Sequence, residues 1–302
     1  MSLPGNNSLG FVGFGEAGFH IARGLIEAGV PEIVAFDIHR DTPGRGETIR
    51  SRAAEAGVRM ASLPAELASA ADLILSVVTA DQALIAATQI GPSLTEQHTY
   101  ADLNSISPVA KRAIAEAVGD RGASFVEVAI MAPVPPYGHR VPMLVGGENA
   151  SAFIDRLSPF GVRAEAIGGP IGAAAATKMC RSIMVKGIEA LITECMLGAS
   201  FYGADERVLA SLSESFPGID WPKLADYMIG RVVVHGERRA REMEEVADTL
   251  RAAGVEPMMT EAVVRRMDWS VETGLRKHFA GEAPGGYREV VEAVRGGGLA
   301  GG

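Results

Sequence analysis

One lysine stands out among the residues whose surroundings could support chemistry. Lys178 follows a run of four alanines, Ala173–Ala176, in a segment with the apolar spacing of a helix. An ordinary lysine titrates near pH 10.4 and is a poor base at neutral pH, but burial or a nearby positive charge favours the neutral amine. Ser182 and Lys186 follow at four-residue steps, so a helix would place all three on one face. Lys186 is the alternative candidate, and a solvated lysine is the ordinary alternative to both.

A glycine-rich turn near the amino terminus predicts a dinucleotide site. Residues 9–13 form a short apolar run, which leads into Gly13-Phe14-Gly15-Glu16-Ala17-Gly18 and then a helical pattern. Gly13 permits a tight turn, Gly15 lets the backbone approach a pyrophosphate, and Gly18 lets the helix pack on the strand. The phosphates would meet the free N–H groups at the start of the helix. We therefore predict that these six residues form part of the cofactor site.

An acidic residue after the next strand bears on the choice of cofactor. The apolar run 33–36 is followed directly by Asp37. A carboxylate at this place accepts hydrogen bonds from the ribose hydroxyls and repels a 2′-phosphate, which favours NAD. His39, Arg40 and Arg45 follow closely and could instead bind that phosphate. NAD is the expected cofactor, NADP stays open, and Arg40 joins Asp37 among the candidate cofactor-binding residues.

The elements that must position these residues alternate between strand and helix up to about residue 168. The run 72–78 has the continuous apolar pattern of a strand covered on both faces. Val78 and Thr79 end it where a cofactor would lie, beyond the carboxyl end of the strand. The pattern predicts an α/β fold, a doubly wound Rossmann-type parallel sheet in a dinucleotide-binding domain of residues 1–168. Its other predicted strands lie at 99–103, 124–130, 143–145 and 164–167, and its helices at 47–56, 63–69, 83–90, 108–118 and 150–160.

The remainder of the chain has helical periodicity almost throughout. We predict an all-α domain of residues 169–295, which includes one long interdomain helix at 171–202, and a flexible tail at 296–302. Cys180 and Cys195 are expected to be small buried side chains in a reducing compartment. Further helices of this domain are predicted at 206–215, 222–234, 236–253 and 260–277.

Composition limits the classes of function. Of the 302 residues 47 % are apolar, and the formal net charge of −9 disfavours binding to nucleic acid. No apolar run approaches the roughly 20 residues that cross a bilayer, and the opening MSLPGNNS lacks the pattern of a signal peptide. We expect a cytoplasmic protein without membrane or nucleic-acid partners and without a metal site, acting on a small molecule.

Four features, in this order along the chain, carry a resemblance to one family. They are the turn Gly13–Gly18, the segment 102–108 (Asp-Leu-Asn-Ser-Ile-Ser-Pro), the pair Gly146-Gly147, and a Gly-x-x-Gly sequence at 169–172 followed six residues later by Lys178. The chain resembles the β-hydroxyacid dehydrogenase superfamily, which includes 6-phosphogluconate and 3-hydroxyisobutyrate dehydrogenases. Through residues 235–243 its helical part is similar to an uncharacterised 6-phosphogluconate dehydrogenase-like branch.

The resemblance implies an NAD(P)-dependent oxidoreductase that acts on CH–OH groups. In this family the helix lysine is the general acid/base, which assigns that role to Lys178, and Asn104 and Ser182 would orient the nicotinamide amide and the substrate. Hydride would pass between the nicotinamide and a carbon of a hydroxy acid or a related alcohol or carbonyl compound. Relatives pair through their helical domains, which implies a homodimer.

Two departures from the family pattern concern the substrate. Ser182 stands where the family usually has asparagine. The family's substrate loop normally reads Ser-Gly-Gly, whereas this chain has Met131-Ala132-Pro133, which lacks the serine hydroxyl and one backbone N–H. We expect Ser105 and these three residues to contact a substrate that is larger or less polar than a small hydroxy acid.

A basic cluster in the helical domain could provide a further substrate contact. The cluster could hold an acidic group through bidentate arginine contacts, or could form salt bridges to glutamates of the same helix. Its members are His235, Arg238, Arg239 and Arg241. The substrate is therefore expected to be acidic. Two alternatives to a dehydrogenase stay open. One is a cofactor-binding sensor or interaction protein without turnover, and the other is an imine reductase, although imine-reducing relatives tend to replace the lysine.

Overall fold

The computed structural model describes residues 8–296 and divides the chain into two compact units. The first unit ends at Lys178, and the second, called here the helical unit, begins at Met179. The opening residues 1–7 and residues 297–302 of the predicted tail lie outside the described residues. The boundary between the units falls inside a helix rather than in a loop.

An eight-stranded sheet forms the centre of the first unit. The strands lie in the order β3-β2-β1-β4-β5-β6-β7-β8, and every neighbouring pair is parallel except β6 and β7. The order reverses between β1 and β4, which is where doubly wound sheets bind their ligands. The predicted fold class is confirmed, but the prediction lacked the short strand β3 and the reversed direction of β7 and β8. The strands are β1 Ser8–Val12, β2 Glu32–Phe36, β3 Arg59–Met60, β4 Leu73–Ser76, β5 Thr99–Asp102, β6 Ser124–Ile130, β7 Met143–Gly146 and β8 Ala164–Ala166.

Helices cover both faces of this sheet and close two apolar cores. Phe11 and Val12 are neighbours in β1 but belong to different cores, because successive side chains of a strand point to opposite faces. Continuous apolar strands are therefore required, and the run 72–78 is an example. The helices are α1 Glu16–Glu27, α2 Arg45–Ala56, α3 Pro64–Ala70, α4 Ala83–Ile90, α5 Pro108–Gly119 and α6 Ala150–Leu157.

The rest of the described chain is helical. Helix α7 (Ala173–Phe201) begins in the first unit and continues into the helical unit over 29 residues. Two apolar clusters, one around Ile229 and Val290 and the other around Met243 and Met267, form the core of the helical unit. The further helices are α8 Asp205–Ser215, α9 Trp221–Ala252, α10 Met258–Glu272, α11 Leu275–His278 and α12 Tyr287–Arg295.

Helix α9 corrects one sequence prediction. Two helices were expected at 222–234 and 236–253, but the structure has one continuous helix of 32 residues. Gly236 lies in its middle, where an added Cβ would come within 2.2 Å of Ser270 Oγ and 3.1 Å of the Met267 carbonyl oxygen. This glycine therefore serves the close approach of α10 and does not end the helix.

Three further expectations for the helical unit need correction. The single helix predicted at 260–277 is interrupted at Gly274, whose φ of +69° is in the left-handed region. Helix α12 was not predicted as an element. Cys180 and Cys195, expected to be buried, are both exposed free thiols.

Within residues 8–296, no helix combines the length and the apolar character needed to span a membrane. In the same range, no group of three or more His, Cys, Asp or Glu side chains is arranged to hold a metal ion.

Candidate functional site

The glycine turn between β1 and α1 has the geometry that a dinucleotide requires. Gly13 has a φ of +86°, and a Cβ on it would lie 2.4 Å from the Val77 carbonyl oxygen. A Cβ on Gly18 would lie 3.0 Å from the carbonyl oxygen of Gly13, so the helix packs closely on the turn. A Cβ on Gly15, in contrast, would meet no atom within 4 Å. The fold thus needs the first and third glycines, while Gly15 leaves open space in which a pyrophosphate fits.

Asp37 is fixed beside this turn by backbone N–H groups. Its Oδ2 accepts a hydrogen bond from Phe14 N and its Oδ1 accepts one from His39 N, both at 2.8 Å. The Phe14 side chain is fully buried and packs edge-on against Phe11. Phe14 therefore contributes its backbone to the site and its ring to the core.

A cavity of about 250 Å³ opens beyond the turn. It contains most of the residues predicted to bind the cofactor, and also several that sequence reasoning did not single out. The predicted ones are Gly13, Gly15, Glu16, Ala17, Asp37, Val78 and Thr79, and the others include Ile38, Gln82, Ile85, Ala86 and Gln89.

Two large apolar side chains are exposed at this cavity. Ile38 follows β2 and is 53 % exposed, and Ile85 lies on α4 and is 47 % exposed. An exposed apolar pair from two elements suits the faces of a flat base such as adenine. The sequence could not reveal this pair, because it depends on where α4 lies relative to the end of β2.

Of the two arginines that closely follow Asp37, only Arg45 lines the cavity. Arg45 lines the cavity and forms no ion pair with any residue between 8 and 296. Arg40, which was predicted to bind the cofactor, is not part of the lining. Its guanidinium donates to Asp41, to the Ala61 carbonyl oxygen and to Ser62 Oγ, the last two at 3.0 Å.

Asn104 holds the backbone at the edge of the cavity through hydrogen bonds. Its Oδ1 accepts a hydrogen bond from Val78 N at 2.7 Å, and its Nδ2 donates to Ser76 Oγ at 3.0 Å and to Asp102 Oδ2 at 2.8 Å. Asp102 is held in turn by the buried ammonium of Lys111 at 2.5 Å. Because both amide hydrogens of Asn104 are used internally, this side chain positions the Val78 backbone rather than projecting into the cavity.

The first turn of α7 is tied to the sheet by a buried carboxylate. Glu127 in β6 is fully buried, and its two oxygens accept hydrogen bonds from Gly172 N and Ala174 N, each at 2.9 Å. Gly146 lies opposite it on β7, where a Cβ would come within 2.5 Å of Glu127 Oε1. One glycine of the Gly146-Gly147 pair therefore makes room for the carboxylate. Sequence reasoning missed this role of Glu127, because its partners are more than 40 residues away.

Close packing also fixes the same turn against α5. Gly172 has a φ of +104°, and a Cβ on it would lie 2.8 Å from Pro108 Cβ. Lys178 lies six residues further along and is half-buried, and Ser182, also half-buried, follows one turn later on the same face of α7. The candidate acid/base thus lies on a helix whose start is held by two independent contacts.

The predicted substrate residues of the first unit follow two adjacent strands. Ser105 comes after β5 and is exposed. Met131 and Ala132 come directly after β6 and are half-buried, and Met131 N donates to the Pro142 carbonyl oxygen at 2.9 Å. Pro133 is exposed. Because β5 and β6 are parallel, these residues share the carboxyl edge of the sheet.

The predicted basic cluster of the helical unit is divided. Arg239 is buried, and its Nε donates to Glu189 Oε2 at 2.7 Å. Arg231 donates to the other oxygen of the same carboxylate at 3.0 Å. His235 and Arg238 are exposed and line a separate cavity to which Arg239 does not contribute.

Lys186, the alternative acid/base candidate, is engaged in a salt bridge. Its Nζ lies 2.8 Å from Glu242 Oε2, and its side chain is almost fully buried. Burial lowers the pKa of Lys186, and the Glu242 carboxylate offsets this only in part. For Glu242, burial raises the pKa, but Lys186, Arg238 and Arg239 together lower it further, so it lies below its usual value.

The doubly wound sheet, the open glycine turn and the fixed carboxylate after β2 define a Rossmann-type nicotinamide-dinucleotide-binding domain. The comparisons with known proteins agree. Residues 8–154 match the family described as the NAD binding domain of 6-phosphogluconate dehydrogenase, and residues 199–270 match a domain of unknown function (DUF1932).

Three relatives illustrate the similarity. A conserved hypothetical protein from Sinorhizobium meliloti 1021 is 37 % identical, with 95 % of each chain covered and a TM-score of 0.81. The conserved protein MTH1747, described as structurally similar to 3-hydroxyacid dehydrogenases, is 31 % identical, with 91 % of this chain and 98 % of that chain covered and a TM-score of 0.75. The mitochondrial 3-hydroxyisobutyrate dehydrogenase of Rattus norvegicus is 24 % identical over 73 % of this chain and 65 % of its own length.

The chain belongs to a family that joins the NAD binding domain of 6-phosphogluconate dehydrogenase to the DUF1932 helical domain, and it is homologous to the 3-hydroxyacid dehydrogenases. The family assignment made from the sequence is confirmed, and so is the assignment of NAD(P) as cofactor.

Proposed function

We propose that the protein is an NAD-dependent dehydrogenase that acts on a hydroxy acid or a related alcohol. The glycine turn at Gly13 and Gly15, together with Asp37, would hold a nicotinamide dinucleotide, which would supply hydride transfer to or from the substrate carbon. Lys178 takes the proton of the substrate hydroxyl when the alcohol is oxidised and returns it when the carbonyl is reduced. Asn104 holds the Val78 backbone at the cofactor edge, and Ser182 orients the substrate from the next turn of α7.

The anchored start of α7 is the observation that supports this proposal most. A general acid/base must be held in a defined position to be efficient. Glu127 and Pro108 fix the first turn of α7 at the edge of the sheet where β5 ends, and Lys178 follows in the next turn. A buried carboxylate and a glycine with φ in the left-handed region therefore hold the start of the helix that carries this lysine.

The preference for NAD rests on Asp37. Its carboxylate lines the cavity and is held by two backbone N–H groups, so a 2′-phosphate would face a fixed negative charge. Arg45 is the opposing group, since it lines the same cavity without a partner among residues 8–296. Replacing Arg45 with glutamine should weaken NADP binding about tenfold and leave NAD binding unchanged. Equal losses for both cofactors would contradict this assignment.

The substrate is proposed to be acidic and to carry an apolar portion. Met131 offers an adaptable apolar surface at the carboxyl edge of the sheet, and Pro133 cannot donate a backbone N–H to a carboxylate. A small hydroxy acid would find few polar partners at this loop and would leave the apolar surface of Met131 uncovered.

Turnover should be screened with a panel of hydroxy acids and sugar acids, using NAD and NADP. Lys178→Ala should lower kcat/KM by roughly 10²–10⁴-fold, the usual contribution of a general acid/base, while the Kd of the cofactor stays the same. Lys223→Ala, at an exposed lysine on α9, is the matched control and should not change kcat/KM. Equal rates for wild type and Lys178→Ala would reject the lysine assignment. Cofactor binding without turnover on the whole panel would favour the sensor.

We also propose that two copies of the chain pair along α7. Cys180, Met184, Leu191 and Cys195 lie on one face of this helix, and Met184 and Leu191 are 65 % and 58 % exposed. An exposed apolar stripe of this length is typical of a helix that packs against a partner. Sedimentation at micromolar concentration should show a dimer that Met184→Glu with Leu191→Glu converts to monomer.

The control for the dimer is a pair of equally exposed methionines elsewhere in the helical unit. Met258→Glu with Met259→Glu adds the same charge at the start of α10 and should leave the dimer intact. A wild-type protein that sediments as a monomer would remove the proposal.

A further inference from the structure

A second cavity lies entirely within the helical unit. It is bounded by the middle of α9 and by the turn that joins α10 to α11, and its volume is about 670 Å³. That volume is in the range of small-molecule sites. Its charged lining is predominantly basic. His235 and Arg238 come from α9, Arg276 and Lys277 come from α11, and Glu237 is the acidic group among the described residues that line it.

Two of these cations lack counterions in the described structure. Arg238 forms an ion pair with Glu242 on the same helix. Arg276 and Lys277 are exposed neighbours, and neither forms an ion pair or a side-chain hydrogen bond with any residue from 8 to 296. Both side chains line the same cavity, so an anion bound there would gain a counter-charge from each of them.

The charge around His235 agrees with this picture. Its pKa lies below the usual value because the ring is partly buried and because Arg238, Arg239, Arg231 and Arg276 add positive charge around it. Four guanidinium groups from α9 and α11 therefore act on one ring. An anion in the cavity would relieve this repulsion.

The backbone at the cavity is also unusual. Ala280 has a φ of +52° and is the non-glycine residue with positive φ in the described part of the chain. It lines the cavity together with Gly281. Strained backbone conformations of this kind concentrate at ligand sites, where the surrounding structure holds them.

We propose that this cavity binds the phosphate group of a small metabolite, with Arg276 and Lys277 supplying the charge and the His235 ring supplying a hydrogen bond. A dianion matches two unpaired cations better than a single carboxylate does. The group could belong to the substrate or to a separate effector, and the shared chemistry is a phosphate monoester. The inference goes beyond the proposed function and does not depend on turnover.

The test is the binding of inorganic phosphate to the full chain by calorimetry at constant ionic strength. NAD is kept at saturation, because phosphate could otherwise occupy the glycine turn of the first unit. Wild type should bind phosphate in the helical unit, and Arg276→Gln with Lys277→Gln should weaken that binding at least tenfold. The control is Arg207→Gln with Lys223→Gln, which removes the same charges from exposed positions outside the cavity. It should change the Kd less than twofold.

Two results would overturn the proposal. One is that the wild type binds phosphate no more tightly than it binds chloride at equal ionic strength. The other is that the cavity double variant and the control double variant lose the same amount of phosphate affinity. His235→Gln should also weaken binding, and unchanged circular dichroism and urea unfolding of each variant will show that the helical unit is folded. Once a substrate is known, phosphate that raises its KM alone identifies a substrate subsite, whereas phosphate that changes kcat alone identifies an effector site. Both of these results support the proposal.

Discussion

The buried carboxylate of Glu127 should be essential for the position of Lys178. Its two oxygens accept the N–H groups of Gly172 and Ala174, which open helix α7. In Glu127→Gln one oxygen remains as an acceptor, and the amide nitrogen is turned towards the second N–H, donor against donor. The first turn of α7 should therefore loosen, and Lys178 should lose its fixed position.

The cost can be worked out from these contacts. A hydrogen bond to a charged group contributes about 1.5–3 kcal/mol, and a buried donor without an acceptor costs about 1–3 kcal/mol. Removing a buried charge offsets part of the loss. We expect Glu127→Gln to lower the free energy of unfolding by about 2–4 kcal/mol, which is a large share of a typical domain's total.

Two measurements separate a loss of positioning from a general loss of stability. Urea unfolding gives the change in stability, and steady-state kinetics below the unfolding transition gives the rate. We expect kcat to fall at least tenfold, while the Kd of NAD, whose cavity lies at β1 and β4, changes less than twofold. An unchanged kcat in the folded variant would refute the reasoning.

Two companion variants sharpen this test. Gly146→Ala places a Cβ within 2.5 Å of Glu127 Oε1 and should reproduce the loss of kcat without changing the carboxylate itself. Glu165→Gln changes an exposed glutamate on β8 and should alter stability by less than about 0.5 kcal/mol.

Three further predictions concern the glycine turn, the buried salt bridge and the strained turn. Gly15→Ala should leave Tm nearly unchanged, because its Cβ would meet no atom within 4 Å, yet it should weaken NAD binding at least tenfold. Gly13→Ala should lower both Tm and the affinity for NAD. Melting curves and cofactor titrations will measure these two quantities. Glu242→Gln should cost about 1–3 kcal/mol at pH 7 by leaving Lys186 without its partner. Because the pKa of Glu242 is lowered in the fold, its contribution is present above the usual value of 4.5 and is lost as the pH falls through the folded pKa. Unfolding curves of variant and wild type should therefore converge in acid, and a constant gap would contradict the assignment. Ala280→Gly should stabilise the protein by up to about 1 kcal/mol, since an alanine in the left-handed region is strained; an unchanged or lower Tm would show that the turn is relaxed.

The sequence was sufficient where structure depends on local geometry. The turn at Gly13 and Gly15, the acid at Asp37 and the strand that leads to Val78 all follow from short-range patterns, and the family and fold class were confirmed. The alternation of apolar and helical runs predicted the parallel part of the sheet, but not the short strand β3 or the reversed direction of β7 and β8.

Tertiary contacts decided the features that the sequence did not reveal. Gly236 looks like a helix end, but the structure uses it for the close approach of α10. Arg239 looks like a substrate ligand, but Glu189 on another helix holds it in the interior. The cavity of the helical unit depends on Arg276 and Lys277, which carry no signal in the sequence because they lie about 40 residues from His235. Contacts between residues far apart in the chain leave no local pattern in a single sequence.

The unbroken course of α7 limits how this protein can change in evolution. Each residue inserted into a helix turns everything beyond it by about 100° and moves it by 1.5 Å. One extra residue between Lys178 and Ser182 would carry the serine off the face that they share. Insertions and deletions should therefore be excluded from this stretch and tolerated in the loop that follows α8.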